Sequence, residues 1–160
     1  MYSTIVATLY RKETGEEFDI TDTLIAPLKW YTDISLALPG RLTFSVKSNT
    51  SIEVRDVLSL NIDGIDQFQG MVRTKKRSRR NIISCIAYDN KFLLKSKEIY
   101  NFGVMTASER FSVACDLLRI PNVIRQGVAV PLGEYISDGK SMYEVIQDGI
   151  EETYRKTGER

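Results

Sequence analysis

Histidine is missing from all 160 residues of the chain. That removes the commonest general base and the commonest metal ligand, and with them any serine–histidine or cysteine–histidine relay. Cysteine is nearly missing: Cys85 and Cys115 stand far apart, too few for a disulfide framework or a metal motif. Buried thiols in a reducing compartment are the expected state. Nor is there an excess of charge. The 22 Lys and Arg against 21 Asp and Glu leave a formal net charge of +1, so no global field draws in nucleic acid or an anionic membrane. A charge-driven function has to come from a local patch. No apolar run reaches the ~18 residues that span a bilayer. The opening Met1-Tyr2-Ser3-Thr4-Ile5 lacks a basic region before a long apolar core, so neither direct membrane insertion nor a signal peptide is expected. Phosphate-binding glycine loops are absent as well, because Gly64 and Gly70 match no such fingerprint.

What is present is an ordinary globular composition, 42% hydrophobic and 27% charged, long enough to bury a core without staples. Much of it reads as short strands. Ser3 to Tyr10 alternates, with Ile5, Ala7 and Leu9 on one side. Thr14-Gly15-Glu16 is a turn, and Phe18-Asp19-Ile20 begins the return. Leu24 to Tyr31 is extended, and Pro27 within it argues for an edge strand or a bulge. A loop from Leu36 ends in Pro39-Gly40. Arg41 to Lys47 then sends Leu42, Phe44 and Val46 to one face. Val57 to Ile62 follows, and Asp63-Gly64 is a two-residue hairpin signal, since type I′ turns need positive φ at both central positions. The return strand runs from Ile65 to Thr74, with Gly70 marking a bulge or a barrel corner. Asn81 to Tyr88 is apolar on both faces, which predicts a central strand covered on both sides.

The pattern changes after Tyr88. Thr106-Ala107-Ser108-Glu109 is a capping box, Thr106 at the N-cap and Glu109 at N3, and the stripe Ala107, Phe111, Ala114, Leu118 predicts a helix that Pro121 ends. Ser141 and Glu144 form a second capping box. Met142, Val145, Ile146, Gly149, Ile150 and Thr153 recur at helical spacing behind it as a narrow seam, with Gly158 beyond the last turn. Val128 to Ile136 reads as one or two short strands. The seam has three candidate partners: the Thr106 helix, another subunit, or a continuation of the chain. The predicted fold class is α+β, mainly β. A small β-barrel or split barrel occupies 1–97, and a small α/β domain occupies 98–160, with helices over 106–119 and 141–157.

Candidate chemistry is sparse. A lysine-activated serine stays open, but Lys140-Ser141 is explained by capping. Asp63 and Asp66 could pair as a glycosidase does across a cleft, yet Asp63 is explained by its turn. No catalytic, cofactor or metal residue is assigned. The one functional-looking feature is the run Arg73-Thr74-Lys75-Lys76-Arg77-Ser78-Arg79-Arg80, in which Arg73, Lys75, Lys76, Arg77, Arg79 and Arg80 are basic. It lies between two strands, so it predicts a protruding hairpin or its flanks. Such a hairpin reads as a solvated tip that protects an edge, as a docking element for an acidic neighbour, or as a nucleic-acid contact. The last lacks the interleaved aromatics of such sites. Trp30-Tyr31 reads as core by default, with a subunit contact as the other reading.

The ordered series Pro39-Gly40-x-Leu42-x-Phe44-x-Val46, Val57-x-Ser59-Leu60, Asp63-Gly64, Phe68-x-Gly70-x-Val72 and Ala87-Tyr88-Asp89 resembles the baseplate hub proteins of contractile phage tails. The likeness is to the XkdQ-like type of Gram-positive defective prophages and, more distantly, to late control gene D proteins. Lys91 to Lys95, Thr106 to Phe111, and Asp138 to Asp148 continue it. The resemblance implies a tail-tube-like barrel and a structural role. Such hubs form homotrimers that cap the tail tube and link it to spike and baseplate proteins, and DNA meets them only in passing through the lumen. It implies a place in the virion tail or baseplate of a phage or tail-like particle, assembled in the bacterial cytoplasm. Members of the family are usually longer, and this chain is similar to their N-terminal part. The basic run is then expected to point outward or into a subunit interface, away from the lumen. The reading of a different class is a small barrel that binds nucleic acid through residues 73–80.

Overall fold

Seven short stretches of alternating apolar and polar residues pair antiparallel into one sheet in this computed structural model, which describes residues 4–32, 38–78 and 81–158. The strands are β1 (Ile5–Arg11), β2 (Glu16–Asp19), β3 (Leu24–Tyr31), β4 (Arg41–Lys47), β5 (Val57–Ile62), β6 (Ile65–Arg77) and β7 (Ile82–Tyr88). Their order across the sheet is β2-β1-β5-β6-β7-β4-β3. Arg79 and Arg80 lie outside the described residues, as do Ser3 and part of the expected loop before Pro39. The chain divides into two units, Met1–Phe92 and Leu93–Arg160.

In the first unit the alternation sends one face of every central strand into a single core. Ala7 and Leu9 meet Leu58 and Leu60, Phe68 and Val72, Ile83, Cys85 and Ala87, and Leu42, Phe44 and Val46 there. Phe18 of β2 and Leu24 and Leu28 of β3 pack against the same core, although those strands lie at opposite edges. One face can bury itself in this way only if the sheet is rolled around it. No ladder among the described residues joins β2 to β3, so the α+β, mainly β architecture is an open rolled sheet, without the closing pairing a barrel would have.

The long strand β6 makes the roll possible. Residues up to Met71 pair with β5 and those from Met71 onward pair with β7, so Met71 stands opposite both Val57 and Tyr88. The sheet therefore consists of two halves staggered along one shared strand. Ile52 plugs the core between the ends of β4 and β5. Asp63 (φ 53°) and Gly64 (φ 82°) make the β5–β6 turn, both in the left-handed region such a turn requires.

Three expectations change. The bulges of β6 fall at Gln67 and Arg73, and Gly70 sits in regular pairing opposite Leu58. Its glycine answers a close approach instead: a Cβ there would lie 2.5 Å from the Tyr88 carbonyl oxygen and 2.6 Å from the Phe68 ring. β7 is central, but only its inner side is covered. Ser84 is exposed, and Ile82, Ile86 and Tyr88 are half-buried. β6 also runs on to Arg77, three residues past Thr74, because β7 offers it a ladder that far. β3 has one neighbour and a shifted register between Ile25 and Lys29, around a cis Ala26–Pro27 peptide.

The second unit holds α1 (Ala107–Leu117) and α2 (Met142–Thr157), with a two-stranded ladder of β8 (Asn101–Phe102) and β9 (Tyr135–Ile136). Both capping boxes form: the Thr106 and Ser141 hydroxyls accept the Glu109 and Glu144 backbone N–H groups, and each Glu accepts in return. Gly158 closes α2 at φ 74°. Met142, Val145, Ile146, Gly149 and Thr153 are buried, and the seam packs on α1. On α1 the expected stripe is displaced. Ala107, Phe111 and Leu118 are half-buried, while Arg110, Ala114 and Cys115 are buried. Between the helices, only β9 and one bridge of Leu132 to Met105 form where strands were expected over 128–136.

Candidate assembly surface

The basic run lies along a strand and does not gather at a hairpin tip. Lys75 stands opposite Cys85 and Arg77 opposite Ile83, on the side of β7 that faces the core; Lys76 stands opposite Ser84 on the outer side. Arg73 is the extra residue of a bulge. Its guanidinium rests 4.7 Å from the centre of the Phe92 ring, which in turn packs 5.3 Å from Tyr88. Lys75 leans on the preceding loop, its Nζ 3.0 Å from Glu53 Oε1. The run is thus divided between two faces, with Arg73, Lys76 and Arg77 exposed.

Trp30 and Tyr31 are not core residues. They are 46% and 51% exposed at the end of edge strand β3, because β3 has no strand beyond it among the described residues. Tyr31 ends a cross-strand file that crosses the entire outer face. The register places Glu17, Tyr10, Val57, Met71, Tyr88, Arg41 and Tyr31 side by side on seven successive strands. This file marks the level at which the two halves of the sheet overlap. Sequence reasoning missed it, since it depends on which strands are neighbours.

Several motif residues serve the frame. The Gly40 N–H donates to Asp89 Oδ2 at 2.9 Å and the Asp89 N–H donates to the Gly40 carbonyl at 3.0 Å. Asp89 Oδ2 lies 2.7 Å from where a Cβ on Gly40 would be. The Pro-Gly motif and the Tyr-Asp motif, distant in sequence, are thus one joint. Asp63 Oδ1 accepts the Thr4 N–H at 2.7 Å. At the other end of β1, Asp56 is only 3% exposed. It accepts the Glu53 N–H as well as both forks of Arg11, and that hydrogen bond raises the Arg11 pKa.

The second unit contains a charged interior that its sequence did not announce. Arg110 is fully buried. It donates from Nη2 to the Gly133 carbonyl at 3.1 Å and lies 4.8 Å from the centre of the Tyr135 ring. Gly149 on α2 leaves room for its side chain. Burial lowers the Arg110 pKa, against the pull of Glu152, Tyr135 and Asp148. Asp148 itself accepts from Tyr135 Oη and from Lys140 Nζ. No local pattern in the sequence signals this arrangement.

No cluster of three or more Cys, Asp or Glu among the described residues could hold a metal ion. Both cysteines are buried and unbridged, and burial pushes the Cys85 thiol up to about 11. No described helix is long and apolar enough to cross a membrane.

A sequence model of the YQBQ-like family matches residues 28–160, from within β3 onward. No curated protein matches the chain. Among solved structures, the chain is similar to the 43 kDa tail protein of prophage MuSo2 from Shewanella oneidensis. That match has 17% identity and a TM-score of 0.68, over 94% of this chain and 48% of the other. It is similar also to the tail protein from Neisseria meningitidis MC58, with 14% identity and a TM-score of 0.63, over 91% and 45%. A third likeness is to the E. coli c3393 protein, described as a component of the type VI secretion system with structural similarity to T4 bacteriophage tail proteins gp27 and gp5. Here identity is 10% and the TM-score 0.52, over 92% and 39%. At these identities the likeness is one of fold. The chain spans about half the length, or less, of the structures it matches.

Proposed function

The chain belongs to the YQBQ-like family, and from that premise we propose that it is a structural part of a phage tail or tail-like particle. The observation that carries the reading is the extent of the fold likeness. Two proteins described as tail proteins follow this chain over 94% and 91% of its length. Fold alone does not fix function, so the surface has to fit as well. It fits an assembly part: two sheet edges each with one neighbour, and an exposed Trp30–Tyr31 pair on one of them.

The finer reading is a baseplate hub. Copies of the chain form a homotrimer at the end of the tail tube, their rolled sheets extending the tube's barrel, and link the tube to spike and baseplate proteins. DNA passes through the lumen, and the basic residues of β6 face away from it. The role is structural, without catalysis, in the tail or baseplate of the particle.

The test is the mass of the protein in solution by light scattering, alone and with the tail-tube protein. A trimer, or a complex with the tube, is expected. A monomer that ignores the tube protein at every concentration overturns the hub. The second reading is nucleic-acid binding, for which exposed Lys76 and Arg77 speak. It requires salt-sensitive binding to oligonucleotides.

A further inference from the structure

The outer face of the rolled sheet is divided by charge. Cross-strand register places Glu17, Asp19 and Asp66 on the outer side of the half made by β2, β1, β5 and early β6. No Lys or Arg shares that side within those strands. The other half, late β6 with β7, β4 and β3, carries Lys29, Arg41, Lys47 and Lys76 outward, and no acid. The Tyr10-to-Tyr31 file is the border between them. All seven charged residues are exposed, and none is in an ion pair with another described residue. The charges that do pair in this unit, Arg11 with Asp56, Lys75 with Glu53 and Lys91 with Asp89, lie elsewhere.

A face that only has to stay in solution intersperses both signs. Segregation with no member in an ion pair among the described residues, Asp19 and Asp66 accepting only from the neutral Thr21 N–H and Asn61 Nδ2, suits a surface whose partner brings the opposite pattern. The two halves enclose one core between them, so their outer sides turn away from each other. We infer that copies of this chain join head to tail, the acidic flank of one against the basic flank of the next. The occupant is a second copy because the complementarity is complete within one chain: three acids on one flank, four cations on the other, and a net charge of only +1 overall. The contact is heterologous, so it closes into a ring if the rotation between copies allows and otherwise continues as a filament. This deepens the reading of the chain as an assembly part, by naming the surfaces that meet.

Sedimentation velocity over a concentration series tests it. Three proteins are compared: the unaltered one, an acidic-flank variant with Glu17→Lys and Asp66→Lys, and a basic-flank variant with Lys29→Glu and Lys76→Glu. All four positions are exposed, and circular dichroism checks the fold of each variant. The unaltered protein is expected to self-associate and to lose about tenfold or more in affinity when salt rises from ~0.05 M to ~0.5 M. Each variant alone, with its altered flank no longer opposite in charge to the flank it would meet, stays monomeric. Mixed together, the two associate again, which loss of folding could not imitate. The inference falls if the unaltered protein is monomeric throughout or if the variants associate as well as it does. It falls too if a monomeric protein binds oligonucleotides and the basic-flank variant does not, since that assigns the flank to nucleic acid. Binding of the tail-tube protein to the same three proteins separates the two readings: retained tube binding without self-association sinks only this inference.

Discussion

Arg11 and Asp56 meet fork to fork: Nε and Nη2 of the arginine donate to the two carboxylate oxygens, each at 3.1 Å. The pair ties the last residue of β1 to the loop that covers late β6. With Asp56 buried and Arg11 only half-buried, removing Arg11 strands the Asp56 carboxylate away from water, whereas removing Asp56 costs the fork of hydrogen bonds. Arg11→Ala is expected to lower the thermal midpoint by several degrees, and Asp56→Ala to do the same. The double variant should lose less than the sum of the two. Calorimetry on the four proteins checks this, and additive losses would mean that the pair does not act as a unit.

Gly70 and Gly64 are both glycines for good reason, but the reasons differ. An alanine at 70 collides with the Tyr88 carbonyl and the Phe68 ring, an overpacking cost of about 1–3 kcal/mol. At 64 there is nothing within 4 Å of a new Cβ, and the penalty is the φ of +82° alone, about 1–2 kcal/mol. Asn, which tolerates that conformation, should recover most of the loss at 64 and none at 70. Denaturant unfolding of the Ala and Asn variants measures both.

The carboxyl of Asp148 is held below its ordinary value. Burial works against this, but hydrogen bonds from Lys140 and Tyr135 outweigh it. A group whose folded pKa is depressed contributes stability above its unfolded pKa of ~3.9 and loses it as pH falls through the folded value. Asp148→Asn should therefore lower the midpoint at neutral pH and flatten its decline below pH ~4. The flattening is partial, because Glu152, Glu109 and Glu144 are depressed in the same sense. An unchanged slope in midpoint against pH would show that Asp148 does not contribute.

Trp30 is exposed enough that Trp30→Ala should change stability by no more than about 0.5 kcal/mol. If the protein docks through the β3 edge, the same change weakens binding to the tail-tube protein by about tenfold or more, as loss of an aromatic anchor does. Unaltered binding by light scattering or calorimetry would remove this edge from the interface.

Most of the fold was legible where a signal is local. Leu42, Phe44 and Val46 declared a strand by alternation, Asp63-Gly64 declared its turn, and Thr106 with Glu109 declared a helix start. What was not legible depends on neighbours in space. The burial of Arg110 was not foreseen, because nothing local shows that Gly149 will make room for it. Tyr88 and Ile86 read as buried because apolarity on two faces cannot say whether a second layer exists. Trp30 reads as core until β3 proves to be the last strand. The basic run was visible as composition, but which of its members take which face is set by the bulge at Arg73, which no single residue signals.

The double membership of β6 has a consequence for the order in which this unit folds. The β5–β6 and β6–β7 hairpins close short loops and share a strand, so a three-stranded meander can assemble from sequence-local contacts alone. β1 and β4 must then be recruited from far along the chain, since Ala7 pairs with Leu60 and Phe44 with Cys85. Substitutions at Leu60 and Val72 should therefore slow folding, while those at Ala7 and Leu42 should mainly hasten unfolding. Stopped-flow kinetics distinguishes the two, and the meander is the nucleus only if they divide that way.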